Sequence, residues 1–145
     1  MIGLLQRVTE AAVRIDGKLV GEIGRGLLVL IAVHRDDSEQ DIARLAERVL
    51  SYRVFPDAAG RMNHSLLDEA GGLLLVPQFT LAADTKKGTR ASFTRAAPPE
   101  KGSAYFDSLV EICRQRLAAV ETGRFGANMQ VSLVNDGPVT FWLES

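Results

Sequence analysis

Two short stretches carry residue types suited to chemistry. The first is Pro77-Gln78-Phe79-Thr80-Leu81, which closes an apolar run. A strand that stops leaves backbone N–H groups unpaired, and such groups serve as an oxyanion hole in acyl transfer. Gln78 and Thr80 add an amide and a hydroxyl beside them. A strand end with Phe79 in the core and its polar neighbours facing water accounts for the same residues equally well. The second stretch is Asn135-Asp136-Gly137-Pro138-Val139-Thr140, a Gly-Pro pair between two runs rich in β-branched and aromatic residues. Proline donates no ladder hydrogen bond and glycine lets backbone come close to another group. A turn closing a hairpin is the simpler reading of this pair. A rigid backbone element presented to a ligand is the sharper one.

Between these stretches, residues 82–102 are polar and aperiodic, longer than a plain connection in a small domain needs. Lys86, Lys87, Arg90, Arg95 and Lys101 lie there against Asp84 and Glu100 alone. A charge run is most often a solvated face, yet phosphate recognition needs such a local cluster, and this one directly follows the first stretch. Over the whole chain the net charge is -1, so a nucleic-acid role must rest on such a patch.

Other chemistries find no footing. Only His34, His64 and Cys113 offer nitrogen or sulfur ligands, and their spacing matches no zinc motif. Nucleophile-elbow, Walker and dinucleotide-binding patterns are missing, so no metal and no cofactor is expected. One cysteine allows no intrachain disulfide, and its apolar helical surroundings mark Cys113 as a core residue. Arg7 and Glu10 interrupt the opening apolar residues, which speaks against a signal peptide and for the cytoplasm. No run has the length to span a membrane.

The elements that must position these stretches follow from periodicity. A hydrophobic share of 46% over 145 residues predicts one domain, residues 1–145, with a real core. Residues 2–15 and 18–23 read as strands joined at Asp16-Gly17, and 27–33 and 73–79 as buried strands. Ser38, with Asp41 three residues on, opens a helix carrying Ile42, Leu45, Ala46, Val49 and Leu50. Residues 57–72 read as loop. Tyr105, Leu109, Ile112, Cys113, Leu117 and Val120 mark a second helix, ended by Gly123. The expected fold class is α/β: mixed, mostly antiparallel β-sheets with two main helices packed on one side.

Taken together, the motifs resemble a known family. Gln78-Phe79-Thr80-Leu81 followed by Ala83-Asp84 and Ser92-Phe93 is similar to the first signature of the D-aminoacyl-tRNA deacylases. Thr122-Gly123-Arg124-Phe125-Gly126-Ala127 and Val131-Ser132-Leu133-Val134-Asn135-Asp136-Gly137-Pro138-Val139-Thr140 resemble the second, and Met1-Ile2-Gly3-Leu4-Leu5-Gln6-Arg7-Val8 matches the family's opening. The likeness runs from end to end. One departure is Pro77, where the family usually has serine. A mechanism that needs that hydroxyl as nucleophile is therefore excluded here, unless the chain is inactive.

The resemblance implies a layered α/β/β homodimer that hydrolyses the ester between a D-amino acid and the 3′-terminal adenosine of tRNA, and glycyl-tRNA as well. It implies catalysis at Gln78, Phe79 and Thr80. It also implies that Gly137-Pro138, joined by a cis bond, reaches the partner's site and excludes L side chains. Arg7 is then the candidate for holding that pair, Phe125 for packing on adenine, Met129 for lining the site, and Lys86 and Lys87 for the tRNA phosphates. The competing class is a non-catalytic tRNA- or DNA-binding paralogue, and turnover of D-aminoacyl-tRNA separates the two.

Overall fold

The computed structural model describes residues 1–145. Its first strand, β1 (Ile2–Ile15), turns at Asp16-Gly17 into β2 (Lys18–Ile23). Both turn residues have positive φ, 50° and 75°, as the favoured two-residue hairpin turn requires. The strand β3 (Gly26–Ala32) follows and pairs antiparallel with β1, from Ile2↔Ala32 to Val8↔Gly26. Helix α1 (Glu39–Ser51) starts at Ser38, where Ser38 and Asp41 form the reciprocal capping box the sequence predicts.

Residues 57–72 hold more structure than a loop. A short β4 (Phe55–Pro56) pairs with β5 (Met62–His64), and the four-residue α2 (Leu66–Glu69) carries its own capping box from Ser65 and Asp68. These elements are too short for periodicity to reveal.

Next comes β6 (Gly72–Pro77), which runs parallel to β3 from Gly26↔Gly72 to Ile31↔Pro77. The two backbones nearly touch where they start. A Cβ on Gly26 would lie 1.9 Å from the Gly72 carbonyl oxygen, so only glycine fits. A 3₁₀ turn (Phe79–Ala82) leads into the basic loop. That loop is folded, with Asp84 and Ser92 exchanging both backbone hydrogen bonds at 2.8 and 3.0 Å.

Helix α3 covers Pro99–Arg116, not a stretch reaching Gly123. Proline fits its first position, where no N–H partner is needed. Leu117 leaves the helix, and Val120 belongs to β7 (Val120–Thr122), which lies parallel to β6. A short strand and a helical tail share one apolar pattern, which is why the two merge in the sequence.

The last strand, β8 (Gln130–Glu144), corrects the hairpin reading of Gly137-Pro138. Both flanks of the pair lie on one strand, and both bond antiparallel to β1, from Ile2↔Glu144 to Arg14↔Gln130. At Gln6↔Thr140 and Val8↔Asn135 the register shifts, so Arg7 alone faces Asp136, Gly137, Pro138 and Val139. Those four residues are extruded as a large bulge.

The main sheet runs β2-β1-β3-β6-β7, with β8 against β1. Successive residues of β3 and β6 serve opposite faces. Leu27, Val29, Leu73 and Leu75 join α1 and α3 in the larger core, which places both main helices on one side of the sheet. Leu28, Leu74 and Val76 face the other way into a second cluster with Val8, Ala11, Val13 and Ile23. The protein thus has a mixed α/β fold with a sheet and three helices.

Candidate active site

The parallel strands β3, β6 and β7 end together, and open α/β sheets bind ligands beyond such strand ends. A cleft of about 420 Å³ lies there, lined by Val76, Pro77, Gln78, Phe79, Ala97, Pro99, Phe125, Gly126, Ala127, Met129 and Val131. Its walls are mostly apolar. Pro77, Gln78, Phe79, Phe125 and Met129, all singled out in the sequence, meet in it although they come from separate segments.

Pro77 shapes the floor. Leu73 N–H donates to Ala119 O, and Gly123 N–H donates to Leu75 O, so alternate residues of β6 face β7. Position 77 is the next to face that way, and proline has no N–H to offer. The β6–β7 ladder stops at Leu75↔Thr122, and the chain is free to part around the cleft.

Beyond it, Gln78 N–H donates to Ile31 O at 2.7 Å, the last tie between β6 and β3. The 3₁₀ turn starts at once, and its first internal hydrogen bond runs from Leu81 N–H to Gln78 O. The amides of Phe79 and Thr80 precede that bond and have no partner inside the turn. Phe79 lines the cleft and Thr80, the next residue of the turn, is exposed outside its lining, so the two amides are adjacent donors beside it. The Gln78 side-chain amide donates to Thr80 Oγ1, so the threonine keeps its own hydroxyl proton free to donate. Phe79 is not a core residue: it is 56% exposed.

Phe125 and Met129 are seated by glycines. A Cβ at Gly102 would lie 3.1 Å from the Phe125 ring, and one at Gly123 would lie 2.7 Å from Met129 Sδ. Gly123 thus makes room for the cleft wall instead of ending a helix. Arg124 N–H also donates to Met129 Sδ at 3.3 Å.

The Gly137-Pro138 bond is cis, and both residues are exposed. Neither lines the chain's own cleft. Arg7, a mostly buried side chain, holds their bulge by its fork. Nε donates to Asp136 O at 2.9 Å, and Nη1 donates to Val54 O at 2.6 Å on the segment after α1. Asn135 clamps the bulge from within: Val139 N–H donates to its Oδ1 at 2.7 Å, and its Nδ2 donates to Thr140 Oγ1 at 2.9 Å.

Lys86 and Lys87 are exposed on the folded loop, outside the cleft, and neither is ion-paired. Cys113 is fully buried, and desolvation pushes its thiol up to about 11, so it is no nucleophile. His64 Nδ1 sits 3.0 Å from Glu69, away from the cleft. Ala97 and Pro99 are cleft residues that a reading of the sequence does not single out. Ala97 lies two residues before α3 and Pro99 opens it, where Pro98-Pro99 is the available helix-start signal. Asn135 stands in the Gly-Pro stretch that the sequence singles out, but its clamping role has no signal there.

Compared with known proteins, residues 4–144 match the family described as D-Tyr-tRNA(Tyr) deacylase. The chain belongs to that family. A D-aminoacyl-tRNA deacylase from Alkalilimnicola ehrlichii is 65% identical over 145 residues, covering 100% of this chain and 97% of the relative. Its counterpart from Escherichia coli is 57% identical over 144 residues, 99% of each chain. Among solved structures, one titled c-Myc DNA Unwinding Element Binding Protein matches with a TM-score of 0.95 at 37% identity, over 100% of this chain and 99% of that one. A second, titled as a probable eukaryotic D-amino acid tRNA deacylase, gives 0.87 at 18% identity over 99% and 98%, a likeness of fold. Members of the deacylase family therefore share with this chain its whole length.

Proposed function

We propose that the protein is a D-aminoacyl-tRNA deacylase that hydrolyses the ester joining a D-amino acid to the terminal adenosine of tRNA. Family membership and 57–67% identity to curated deacylases support the reading. The observation that carries it is the adjacent donor pair of Phe79 and Thr80 in the turn beside an apolar cleft that Gln78 and Phe79 line.

An aminoacyl ester is already activated, so it needs no protein nucleophile. Water adds to the carbonyl carbon, and charge gathers on the carbonyl oxygen. The N–H groups of Phe79 and Thr80 receive that charge, a contribution of about 10²–10³ in rate for each well-placed donor. Thr80 Oγ1, oriented by Gln78, and the ribose 2′-hydroxyl position the water. The tetrahedral adduct collapses, the ester C–O bond breaks, and the ribose oxygen leaves with a proton. Pro77 does not hinder this route, since no step uses a side-chain hydroxyl at that position.

The apolar walls suit the adenine, with Phe125 and Met129 against it, while Lys86 and Lys87 meet the tRNA phosphates. The active form in this reading is a layered α/β/β homodimer acting in the cytoplasm. Each subunit extends its Gly137-Pro138 bulge into the partner's cleft. Carbonyls there accept the substrate's α-amino group and fill the space an L side chain would need. Glycine has no side chain to exclude, so glycyl-tRNA is also hydrolysed.

The test is single-turnover deacylation of D-tyrosyl-, L-tyrosyl- and glycyl-tRNA. Release of D-tyrosine and glycine, with the L ester untouched, is expected. Retention of tRNA without turnover would refute the reading.

A further inference from the structure

Phe93 stands out on the surface: a large ring left 43% exposed beside another that is 56% exposed. The Phe93 and Phe79 centroids are 5.1 Å apart at a tilt of 49°, so the two rings form one aromatic step from the cleft wall outward. The step is firmly placed. Ser92, just before Phe93, is locked to Asp84 by two backbone hydrogen bonds. Just after it, Ala96 N–H donates to Phe93 O, and Ala97 N–H donates to Val33 O at 2.9 Å. An exposed ring held so tightly is poised to meet a flat apolar ligand face.

The surrounding charge indicates which ligand. Lys86, Lys87, Arg90 and Arg95 on the same loop are all exposed, and none is ion-paired. The one carboxylate within that segment, Asp84, is engaged by Lys86 N–H at 3.0 Å. Aromatic faces flanked by free cations fit single-stranded nucleic acid, whose bases stack while its phosphates pair. Phe79 belongs to the cleft and Phe93 lies outside it, which orders the contacts along a strand.

We propose that Phe93 is the stacking platform for the nucleotide preceding the terminal adenosine of the substrate, with the loop cations on the adjoining phosphates. The proposal rests on the deacylase reading above. The enzyme then grips its substrate by two bases, and the outer one contributes affinity without touching the ester.

The experiment compares D-tyrosyl-tRNA with the D-tyrosyl ester of adenosine, which ends at the inner base. Phe93→Ala should lower kcat/KM on the tRNA roughly tenfold, chiefly through KM, as expected when one base loses its aromatic platform. Turnover of the adenosine ester should not change. Phe93→Leu keeps apolar contact with Phe79 and should behave like Phe93→Ala, whereas Phe93→Tyr should restore the wild-type tRNA value.

Equal losses on both substrates would overturn the proposal, because the ring would then act through Phe79 or the fold. So would no loss on tRNA, or loss accompanied by dissociation of a wild-type dimer in sedimentation, which would assign the face to a second copy. A wild-type protein that hydrolyses neither substrate refutes the deacylase reading itself, and this proposal with it.

Discussion

Gly137→Ala tests whether the bulge opposite Arg7 is set by backbone sterics. Gly137 has φ of +143°, and an added Cβ would lie 2.6 Å from Val139 Cγ2 and 2.9 Å from Val139 N. Placing an L side chain in that conformation costs about 1–3 kcal/mol. Overpacking against Val139 costs a similar amount, on the order of 1–3 kcal/mol. Because the bulge is exposed it relaxes in part, so a net loss of about 2–3 kcal/mol is expected, lowering Tm by roughly 6–10 °C. The relaxation displaces the bulge, and a shift on the order of 1 Å in a positioning element is worth about 10²-fold in rate. Calorimetry and single-turnover deacylation of D-tyrosyl-tRNA read the two effects separately. Val139→Ala on the Gly137→Ala background removes the Cγ2 contact but not the backbone one, so it should recover less than half of either loss. The Val139→Ala single variant completes the cycle. Wild-type stability and rate in Gly137→Ala would refute the reasoning, and so would full rescue by Val139→Ala.

Other perturbations probe the remaining parts. Arg7→Ala removes two charge-assisted hydrogen bonds, each worth about 1.5–3 kcal/mol, and should lower the urea midpoint and D-tyrosyl-tRNA turnover together. Arg7→Lys should recover little, since a point charge does not span both carbonyls; full activity would show that the fork is dispensable. Reversing charge at Lys86 and Lys87 should weaken tRNA binding and reduce the slope of log K against log salt by about 0.7 for each phosphate no longer neutralised, with kcat nearly unchanged. Pro77→Ser should leave deacylation within a few-fold of wild type, whereas a gain of orders of magnitude would make the serine hydroxyl catalytic. Asp41 is held at about 2, below its ordinary 3.8, first by the Ser38 backbone N–H and then by the Ser145 and Ser38 hydroxyls. A depressed carboxyl stabilises the fold above its unfolded value and loses that contribution as pH falls through the folded one. Acid denaturation should therefore steepen between about pH 4 and pH 2, and Asp41→Asn should flatten that part of the curve.

The elements with long apolar periods are legible in the residues. The β1–β2 hairpin, buried β3 and the Ser38 cap all follow from local chemistry that tertiary contacts do not contradict. Phe79 stays ambiguous in the sequence because a phenylalanine after an apolar strand normally turns inward, and nothing in its neighbours reveals that the 3₁₀ turn rotates it out. The end of α3 is blurred because Leu117 and Val120 serve the same core from a coil and a strand. For the candidate site, residue type singles out both stretches, yet their different placement is invisible in it. The cleft gathers strand ends and the start of a helix, a property of topology. The bulge depends on β1 pairing with both halves of β8, a partner more than a hundred residues away.

That pairing makes length, as well as residue identity, a strict requirement around Gly137. Val131 and Leu133 pack against the smaller core cluster on one side of the bulge, and Phe141 and Leu143 serve the larger cluster on the other. Both halves are fixed against a single strand, so the four residues facing Arg7 are a counted insertion. Removing one either shortens the projection or slips a flank by one position, which turns every inward side chain of that flank to water. An insertion or deletion between residues 135 and 140 therefore dismantles strand register and projecting loop together, a constraint separate from the one that glycine meets at position 137.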